Sequence, residues 1–320
     1  MGSTSEIVHE FLPHFRAYKD GRIERYFGLD KSPASITSPN GVSSKDVAII
    51  SETGVSARIF IPSTINQAQK LPLLVYFHGG VFVVGSPFCS TYHNFVTSLV
   101  ATANVAVVSV DYRLAPEHSF PAPYEDSWAA LNWVASHRNG QGREAWLNDH
   151  ADFGRVFMAG DSAGGNIVHN MMSQAGLKDL FGEKLSGICL IHPYFARKDG
   201  GVLDEFWRLV CPSGLDYSWI NPAVDSRLSS LWCTRVLVCV AEEDHLRDRG
   251  VFYYETLKNS GWAGEMEIFE TEGEKHVFHL FNPNCERALA LVQKLASFLN
   301  EDHKGALRDE KTSKGFESKE

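Results

Sequence analysis

A strand, a tight turn centred on a serine and a helix follow one another around Gly160–Gly164, and this order constrains the fold more than any other feature. The apolar run Arg155–Ala159 predicts a buried strand, and helical spacing begins at Gly165. The small residues beside Ser162 let the backbone turn sharply, which places the Ser162 hydroxyl at the carboxyl end of the strand. The helix points its free N–H groups and positive dipole end at the same place, where negative charge is stabilised.

The Gly-x-Ser-x-Gly pattern is short, and an ordinary strand-to-helix turn capped by a serine is the alternative. From residue 42 onwards, apolar runs rich in Val, Ile and Leu alternate with segments of helical spacing, as in parallel sheets covered by helices on both faces. The predicted strands are Val55–Ile61, Leu71–Phe77, Val105–Val110, Arg155–Ala159, Gly187–Ile191, Arg235–Val240 and Glu265–Phe269, and the predicted helices span about 92–102, 123–137, 163–175, 250–260 and 285–299. This alternation predicts an α/β fold with a mostly parallel, doubly wound sheet and an antiparallel N-terminal edge.

Three segments depart from this alternation. Between Ile7 and Phe15, apolar residues at near-helical spacing predict an amphipathic helix that packs on the main body or covers a pocket, followed by a short strand at Ile23–Tyr26. An insertion between two predicted core strands is placed to form a cap over the carboxyl edge of the sheet. The charged C-terminal stretch lacks periodicity and predicts disorder. We therefore expect one domain over residues 1–300, with a cap or lid segment at 1–41, a cap insertion at 196–220 and a disordered polar tail at 301–320.

Composition narrows the class of protein further. The chain has 320 residues, 44% of them hydrophobic, which is ample for a large core. Its net charge of -9 argues against general binding to nucleic acid or to an anionic membrane surface. No apolar stretch approaches the roughly 20 residues that span a bilayer, and the N-terminus lacks the features of a signal peptide. The six cysteines are scattered without a C-x-x-C pair, which predicts buried free thiols and a cytoplasmic protein.

The chemistry of a serine at such a turn requires two partners. A serine hydroxyl is a poor nucleophile at neutral pH and needs a base within hydrogen-bond reach and a third group that orients this base. In hydrolases with such a turn, an acid and then a histidine follow the serine along the chain. Asp244 follows one predicted strand and His276 follows the last one, so we expect Ser162, Asp244 and His276 to form a catalytic triad. The open alternatives are Glu242, Glu243 and Asp248 for the acid, and His245 and His279 for the base.

A third requirement is a set of backbone N–H groups that bind the developing negative oxygen. The predicted strand Leu71–Phe77 is followed by His78-Gly79-Gly80, and glycines let the backbone approach a ligand closely. We expect the N–H groups of Gly79, Gly80 and Ala163 to form this oxyanion hole. A plain glycine turn is the alternative.

Five short segments, spread over about residues 8–300, together carry a family pattern. They are His78-Gly79-Gly80, Asp111–His118, Gly160–Asn166, Asp244–Arg249 and His276-Val277-Phe278. In these segments the chain resembles plant carboxylesterases of the hormone-sensitive-lipase branch of the α/β-hydrolases. The resemblance implies an α/β-hydrolase fold, Ser162 as the nucleophile with Asp244 and His276 as its partners, the oxyanion hole named above, and a cap. It also implies a structural role for Asp111–His118, with Arg113 in a buried network beneath the site.

The resemblance implies hydrolysis of small carboxylic esters, such as short acyl or acetyl esters of plant specialised metabolites. Relatives of this type include 2-hydroxyisoflavanone dehydratase and alkaloid cyclases, so a lyase that uses the same pocket is the alternative. The gibberellin receptor also resembles these enzymes but lacks the triad histidine, and His276 therefore counts against a hormone-binding role.

The substrate pocket and the partners are less constrained. Val81 stands where the family often has a third glycine, and we expect Val81 and Phe82 to shape the acyl pocket. No H-E-x-x-H, P-loop or dinucleotide fingerprint occurs, and we expect neither a metal nor a cofactor. The expected partner is a small-molecule ester, with no nucleic acid and no membrane, and the oligomeric state stays open.

Overall fold

The computed structural model describes residues 6–36, 41–66, 69–174, 176–196, 207, 210–211 and 218–301 of the chain. The strands within these ranges are β1 (Ile7–Phe11), β2 (Phe15–Tyr18), β3 (Ile23–Arg25), β4 (Val42–Ile50), β5 (Val55–Pro62), β6 (Leu71–Phe77), β7 (Ala106–Asp111), β8 (Ala151–Asp161), β9 (Gly187–Ile191), β10 (Arg235–Ala241) and β11 (Glu265–Thr271). The α-helices are α1 (Ser90–Ala103), α2 (Ala122–Ala135), α3 (Ala145–His150), α4 (Ala163–Met172), α5 (Leu177–Phe181), α6 (Arg247–Lys258), α7 (Phe278–Phe281) and α8 (Glu286–Asn300).

The main sheet, as far as the structure describes it, has eight strands in the order β11-β10-β9-β8-β6-β7-β5-β4. Strands β6 to β11 run parallel to one another, whereas β5 pairs antiparallel with both β4 and β7. The predicted mostly parallel sheet with an antiparallel N-terminal edge is confirmed. Each parallel strand therefore ends at the same edge, which is the edge where the serine turn lies.

Successive side chains along the central strands point to opposite faces of the sheet, which divides the core into two layers. Leu73 and Val75 of β6 pack in one buried cluster with residues of α2, α4 and α6, while Leu74 and Tyr76 pack in a second cluster with α1 and α8. Every residue of β6 is buried because both faces of the sheet carry helices. These two layers hold the carboxyl ends of the strands in a fixed arrangement.

The turn around Ser162 depends on a close approach of backbone segments. A Cβ at Gly164 would overlap the carbonyl oxygen of Phe77 at the end of β6, and one at Gly160 would overlap the backbone of Gly164. Glycine at both positions lets the ends of β6 and β8 meet the first turn of α4. The serine turn and the loop after β6 are thereby brought side by side.

The N-terminal segment forms a separate three-stranded antiparallel sheet, β1-β2-β3. The helix predicted between Ile7 and Phe15 is therefore wrong. Pro13 explains the difference, because proline has no N–H for an interior helical hydrogen bond and biases the preceding residue towards extended conformations. The short strand predicted at Ile23–Tyr26 is confirmed as β3.

Arg25 fastens this small sheet to the main body. Its guanidinium group donates to both carboxylate oxygens of Glu117 at 2.6 and 2.8 Å, and to the carbonyl oxygen of Val83 at 2.6 Å. Phe15 and Ala17 of β2 are buried in a cluster with Val83. The N-terminal sheet is therefore held by a bidentate ion pair and by apolar contacts.

Two predicted segments lie largely outside the described residues: most of the cap insertion at 196–220, and all of the tail at 301–320 except Glu301. All six cysteines are free thiols, and five of them are buried. Among the described residues, no helix has both the length and the apolar character needed to cross a bilayer.

Gly164→Ala is expected to lower the free energy of unfolding by about 3 kcal/mol or more, because the added methyl group has no space against the backbone of Phe77. Urea unfolding followed by circular dichroism measures the change. Gly154→Ala in the same region of sequence is the control, since a Cβ there meets only the Asp152 side chain, at 3.2 Å. Equal losses in the two variants would contradict the packing argument.

Candidate active site

Ser162 lies at the point where β8 ends and α4 begins. Its backbone has φ 50° and ψ -115°, a region that residues with a side chain rarely adopt. The Ser162 N–H donates to the carbonyl oxygen of Ile191 at 2.8 Å, and its own carbonyl oxygen accepts from the N–H of Tyr194 at 2.9 Å. These two hydrogen bonds hold the turn in its strained conformation and direct the hydroxyl away from the sheet.

Two further predicted residues form a hydrogen-bonded chain with this hydroxyl. His276 Nε2 lies 3.0 Å from Ser162 Oγ, and His276 Nδ1 lies 2.8 Å from Asp244 Oδ2. Asp244 Oδ1 accepts the N–H of Leu246 at 2.7 Å. Burial raises the pKa of Asp244, but the hydrogen bond and charge of His276 outweigh this effect and leave the pKa below its usual value. The carboxylate is thus charged and orients the imidazole.

The alternative acids and bases lie elsewhere. The Glu242 carboxylate accepts the N–H of Gly273 at 2.8 Å, and the side chains of Glu243 and Asp248 are not in the chain of hydrogen bonds to Ser162. His279 is buried, with its ring centroid 4.8 Å from that of Phe95. His245 Nδ1 lies 3.6 Å from Asp244 Oδ1, but its side chain is 61% exposed. Only Asp244 and His276 are brought together with the serine.

His192 supports the position of His276 from below. Its Nδ1 accepts the N–H of Val277 at 2.9 Å, which fixes the residue after His276 in a left-handed conformation with φ 45°. Burial lowers the pKa of His192 to about 3, and the neighbouring His276 adds to the effect. The ring is therefore neutral and free to accept this hydrogen bond. Within the described residues, His192, Asp244 and His276 are the group close enough to share a metal ion, but the hydrogen bonds above already use both ring nitrogens of His276 and both carboxylate oxygens of Asp244.

The oxyanion loop, residues 78–82 after β6, differs from the prediction in one donor. The Gly79 N–H points at Tyr92 Oη, 2.8 Å away, and at Asp161 Oδ1, 3.0 Å away. These contacts do not support the predicted role of Gly79 as an oxyanion donor, because its N–H is already bound to buried acceptors. Among the described residues, the N–H groups of Gly80, Val81 and Ala163 donate to no acceptor.

Val81 has an N–H without an acceptor among the described residues, and the prediction did not include this group. Val81 and Phe82 have φ of 50° and 65°, left-handed values that glycine adopts without strain. This conformation explains why a glycine suits position 81, and Val81 is one of the residues that line the cavity described below. The glycine pattern alone could not reveal which of the three successive N–H groups is engaged.

Asp161 is a buried carboxylate beneath the oxyanion loop. Its Oδ1 accepts from Tyr76 Oη at 2.6 Å and from the Gly79 N–H, and its Oδ2 accepts from Tyr92 Oη at 2.9 Å. Burial raises its pKa, while the hydrogen bonds from the two tyrosines oppose this effect. The side chain next to the serine thus ties the loop after β6 to the turn after β8.

A cavity of about 240 Å³ opens over Ser162 and His276. Aromatic and aliphatic side chains form most of its wall, and the described residues that line it are Pro13, His14, Phe27, Gly80, Val81, Tyr92, Asp161, Ser162, Tyr194, His245, Leu246, His276, Val277, Leu280 and Phe281. Val81 is in this wall, as expected. Phe82 is not, because its fully buried ring packs against Phe120, with 4.8 Å between ring centroids.

Comparison with known proteins agrees with this architecture. A family model described as the alpha/beta hydrolase fold matches residues 74–280. Over 313 residues, 92% of this chain and 99% of the other, the chain is 47% identical to "Probable carboxylesterase 7" of Arabidopsis thaliana. The chain belongs to the α/β-hydrolase family.

Further members of this family extend the comparison. The chain is 41% identical over 315 residues to "2-hydroxyisoflavanone dehydratase" of Glycine max, covering 92% of this chain and 99% of that protein. A solved hyperthermophilic esterase from Pyrobaculum calidifontis has a TM-score of 0.65 and 31% identity over 80% of this chain and 84% of that chain. The carboxylesterase EstE1, cloned from a metagenomic library, has a TM-score of 0.66 and 31% identity over 84% and 92% of the two chains.

In this α/β-hydrolase, Arg113 of the segment Asp111–His118 forms an ion pair with Asp126, which lies outside that segment. Arg113 Nε and Nη2 donate to the two carboxylate oxygens at 2.8 and 2.7 Å, and the Arg113 N–H donates to the same group at 2.9 Å. Asp126 belongs to α2 and is buried. The pair therefore joins the segment after β7 to the helix layer, which supports a structural role.

Asp161→Asn is expected to lower kcat at least about tenfold and to change KM less than about threefold, because a neutral amide holds Tyr92 and Gly79 less firmly and the oxyanion loop loses its alignment. Steady-state kinetics on an activated acetyl ester checks this. Asp225→Asn is the control, since that buried carboxylate bonds Ser173 and Arg227 outside the cavity. A wild-type kcat in Asp161→Asn would contradict the role of the Asp161 carboxylate in aligning the oxyanion loop.

The buried His279 is expected to lower the free energy of unfolding as the pH falls. Burial lowers its pKa well below the usual value, and the nearby His192 and His276 add to this. Below about pH 6.5 the unfolded chain binds a proton that the folded chain does not, so the folded state loses up to about 1.4 kcal/mol per pH unit from this group. His279→Phe is expected to remove this loss, which unfolding in urea at pH 7 and pH 5 measures. An unchanged pH dependence in the variant would contradict the assignment.

Proposed function

We propose that this protein hydrolyses small carboxylic esters through an acyl-enzyme formed on Ser162. One observation carries the proposal: a continuous hydrogen-bonded chain from Ser162 through His276 to Asp244 ends in a largely apolar cavity. The relatives named as carboxylesterases and the solved esterases place the chain among the serine ester hydrolases. Short acyl or acetyl esters of plant specialised metabolites are the proposed substrates, and all six cysteines being free thiols supports a cytoplasmic location.

The first half of the reaction forms the acyl-enzyme. The Ser162 hydroxyl attacks the ester carbonyl carbon while His276 Nε2 takes its proton, and the carbonyl π electrons move onto oxygen. The buried Asp244 carboxylate stabilises the imidazolium that forms. The negative oxygen is bound by the N–H groups of Gly80, Val81 and Ala163, the last of which also lies at the positive end of α4.

The tetrahedral intermediate then collapses. The carbon–oxygen bond to the alcohol breaks as His276 gives the alcohol its proton. A water molecule repeats the sequence on the acyl-enzyme: His276 takes a proton from the water, the oxyanion forms again, and Ser162 leaves with the proton from His276. Neither half requires a metal or a redox group.

The N-terminal segment is placed to cover the catalytic cavity. Pro13 and His14 from the β1–β2 turn and Phe27 after β3 lie in the cavity wall, and Arg25 holds them there through Glu117. We therefore assign residues 1–41 the role of a cap over a single catalytic domain that ends near residue 300.

A lyase reaction is the second candidate, and the similarity to 2-hydroxyisoflavanone dehydratase favours it. His276 could remove a proton from carbon without any acyl-enzyme, with the oxyanion loop holding an enolate oxygen. The intact array of Ser162, His276 and Asp244 supports ester hydrolysis, because elimination has no use for a hydroxyl activated in this way.

Ser162→Ala is expected to lower kcat/KM for p-nitrophenyl acetate at least about a thousandfold, as the loss of a nucleophile does. Ser127→Ala is the matched control, because that buried hydroxyl donates only to the carbonyl oxygen of Pro123. Most of the turnover surviving in Ser162→Ala would overturn the acyl-enzyme mechanism. Elimination from a hydroxylated flavanone that survives in Ser162→Ala but is lost in His276→Ala would establish the lyase in its place.

A further inference from the structure

The side chain of His14 faces the cavity but has no part in the chemistry described above. It lies on the turn between β1 and β2 and is half-buried. Its imidazole makes no hydrogen bond within the described residues, whereas its backbone is fixed: its N–H donates to the carbonyl oxygen of Phe11 at 2.7 Å, and its carbonyl oxygen accepts from the Tyr26 N–H at 2.9 Å. A polar ring with both ring nitrogens available is therefore held over the site by a rigid turn.

The cavity around this ring has a definite charge character. Among the described lining residues there is no lysine or arginine, while Asp161 lies in the wall and Asp244 lies behind His276. Partial desolvation lowers the pKa of His14 and also that of the largely exposed His245, and the nearby His276 lowers both further, so both rings are neutral at pH 7. A substrate carboxylate would meet no counter-ion here and two buried negative groups instead.

The apolar residues of the cavity wall favour substrates with a flat ring. Pro13, Phe27 and Phe281 offer apolar rings to the same space, and Phe281 is 63% exposed. Such surfaces pack against an aromatic ring. A neutral imidazole beside them offers both a donor and an acceptor to an uncharged oxygen.

We propose that His14 is a specificity-determining residue, which hydrogen-bonds an uncharged hydroxyl group of the substrate, and that the preferred substrates are neutral aryl esters with a second oxygen substituent on the ring. The inference rests on the proposed ester hydrolysis. His14 does not touch the reacting atoms, so it acts on the choice of substrate rather than on the chemical step.

The test compares kcat/KM for phenyl acetate with that for resorcinol monoacetate and hydroquinone monoacetate. In the wild type, at least one hydroxylated ester is expected to be cleaved more efficiently than phenyl acetate. His14→Phe keeps a ring of similar size and is expected to lower this preference about fivefold, with little change for phenyl acetate. His14→Gln retains a donor and an acceptor and is expected to keep the preference within about twofold.

Leu12→Ala is the control on the same turn, since Leu12 is 56% exposed and outside the described cavity wall. A wild-type preference that persists in His14→Phe, an equal loss on all three esters, or no preference in the wild type would each overturn the inference. Cleavage of 4-acetoxybenzoate as efficient as that of phenyl acetate would overturn the neutral character of the site. No turnover of any of these esters by the wild type would mean that the proposed hydrolysis has failed, and turnover that persists in Ser162→Ala would mean that the acyl-enzyme mechanism has failed; both are distinct from a failure of the inference on His14.

Discussion

The whole site depends on the close contact between the first turn of α4 and the end of β6. Gly164 lets the backbone of the helix lie against the carbonyl oxygen of Phe77, and no larger residue fits there. This contact sets the distance between Ser162, which follows β8, and the oxyanion loop, which follows β6. A hydroxyl and the N–H groups that stabilise its product must be aligned to within a few tenths of an ångström, and parallel strands in a two-layered core supply that rigidity.

Two buried carboxylates flank this contact and have different tasks. Asp244 bonds the imidazole and stabilises it when it becomes charged, which makes it part of the proton transfer. Asp161 accepts hydrogen bonds from Tyr76, Tyr92 and the Gly79 N–H. It therefore holds the oxyanion loop in place and takes no part in proton transfer. The environment of each group, rather than its chemical type, separates the two roles.

The sequence predicts those strands best in which the local hydrophobic pattern agrees with the burial that the fold imposes. Leu71–Phe77 and Gly187–Ile191 coincide with β6 and β9 because continuous apolar runs are found where a strand is covered on both faces. The approach of Ser162, Asp244 and His276 followed from one rule, that parallel strands end at the same edge. The pairing of β4 and the exact ends of helices carry weaker signals and were not predicted.

The errors have physical causes. The apolar spacing between Ile7 and Phe15 fits a helix and a hairpin about equally, and Pro13 decides for the hairpin. The contact of the Gly79 N–H with Asp161 was not foreseen, because a row of glycines does not show which N–H meets a buried carboxylate. Phe82 is misplaced for a similar reason: its left-handed backbone turns the ring away from the cavity and into the core, among aromatic residues distant in sequence.

The attachment of the N-terminal sheet has a consequence for how this enzyme diversifies. Among the described residues, the sheet shares no ladder of main-chain hydrogen bonds with the main sheet. It is joined to the main body by the Arg25–Glu117 pair, by hydrogen bonds from Arg25 to backbone carbonyl oxygens and by apolar side chains. New side chains on its turns can therefore arise without disturbing the packed strands that align the reacting groups. Part of the cavity wall, namely Pro13, His14 and Phe27, is therefore encoded apart from the strands that align the reacting groups.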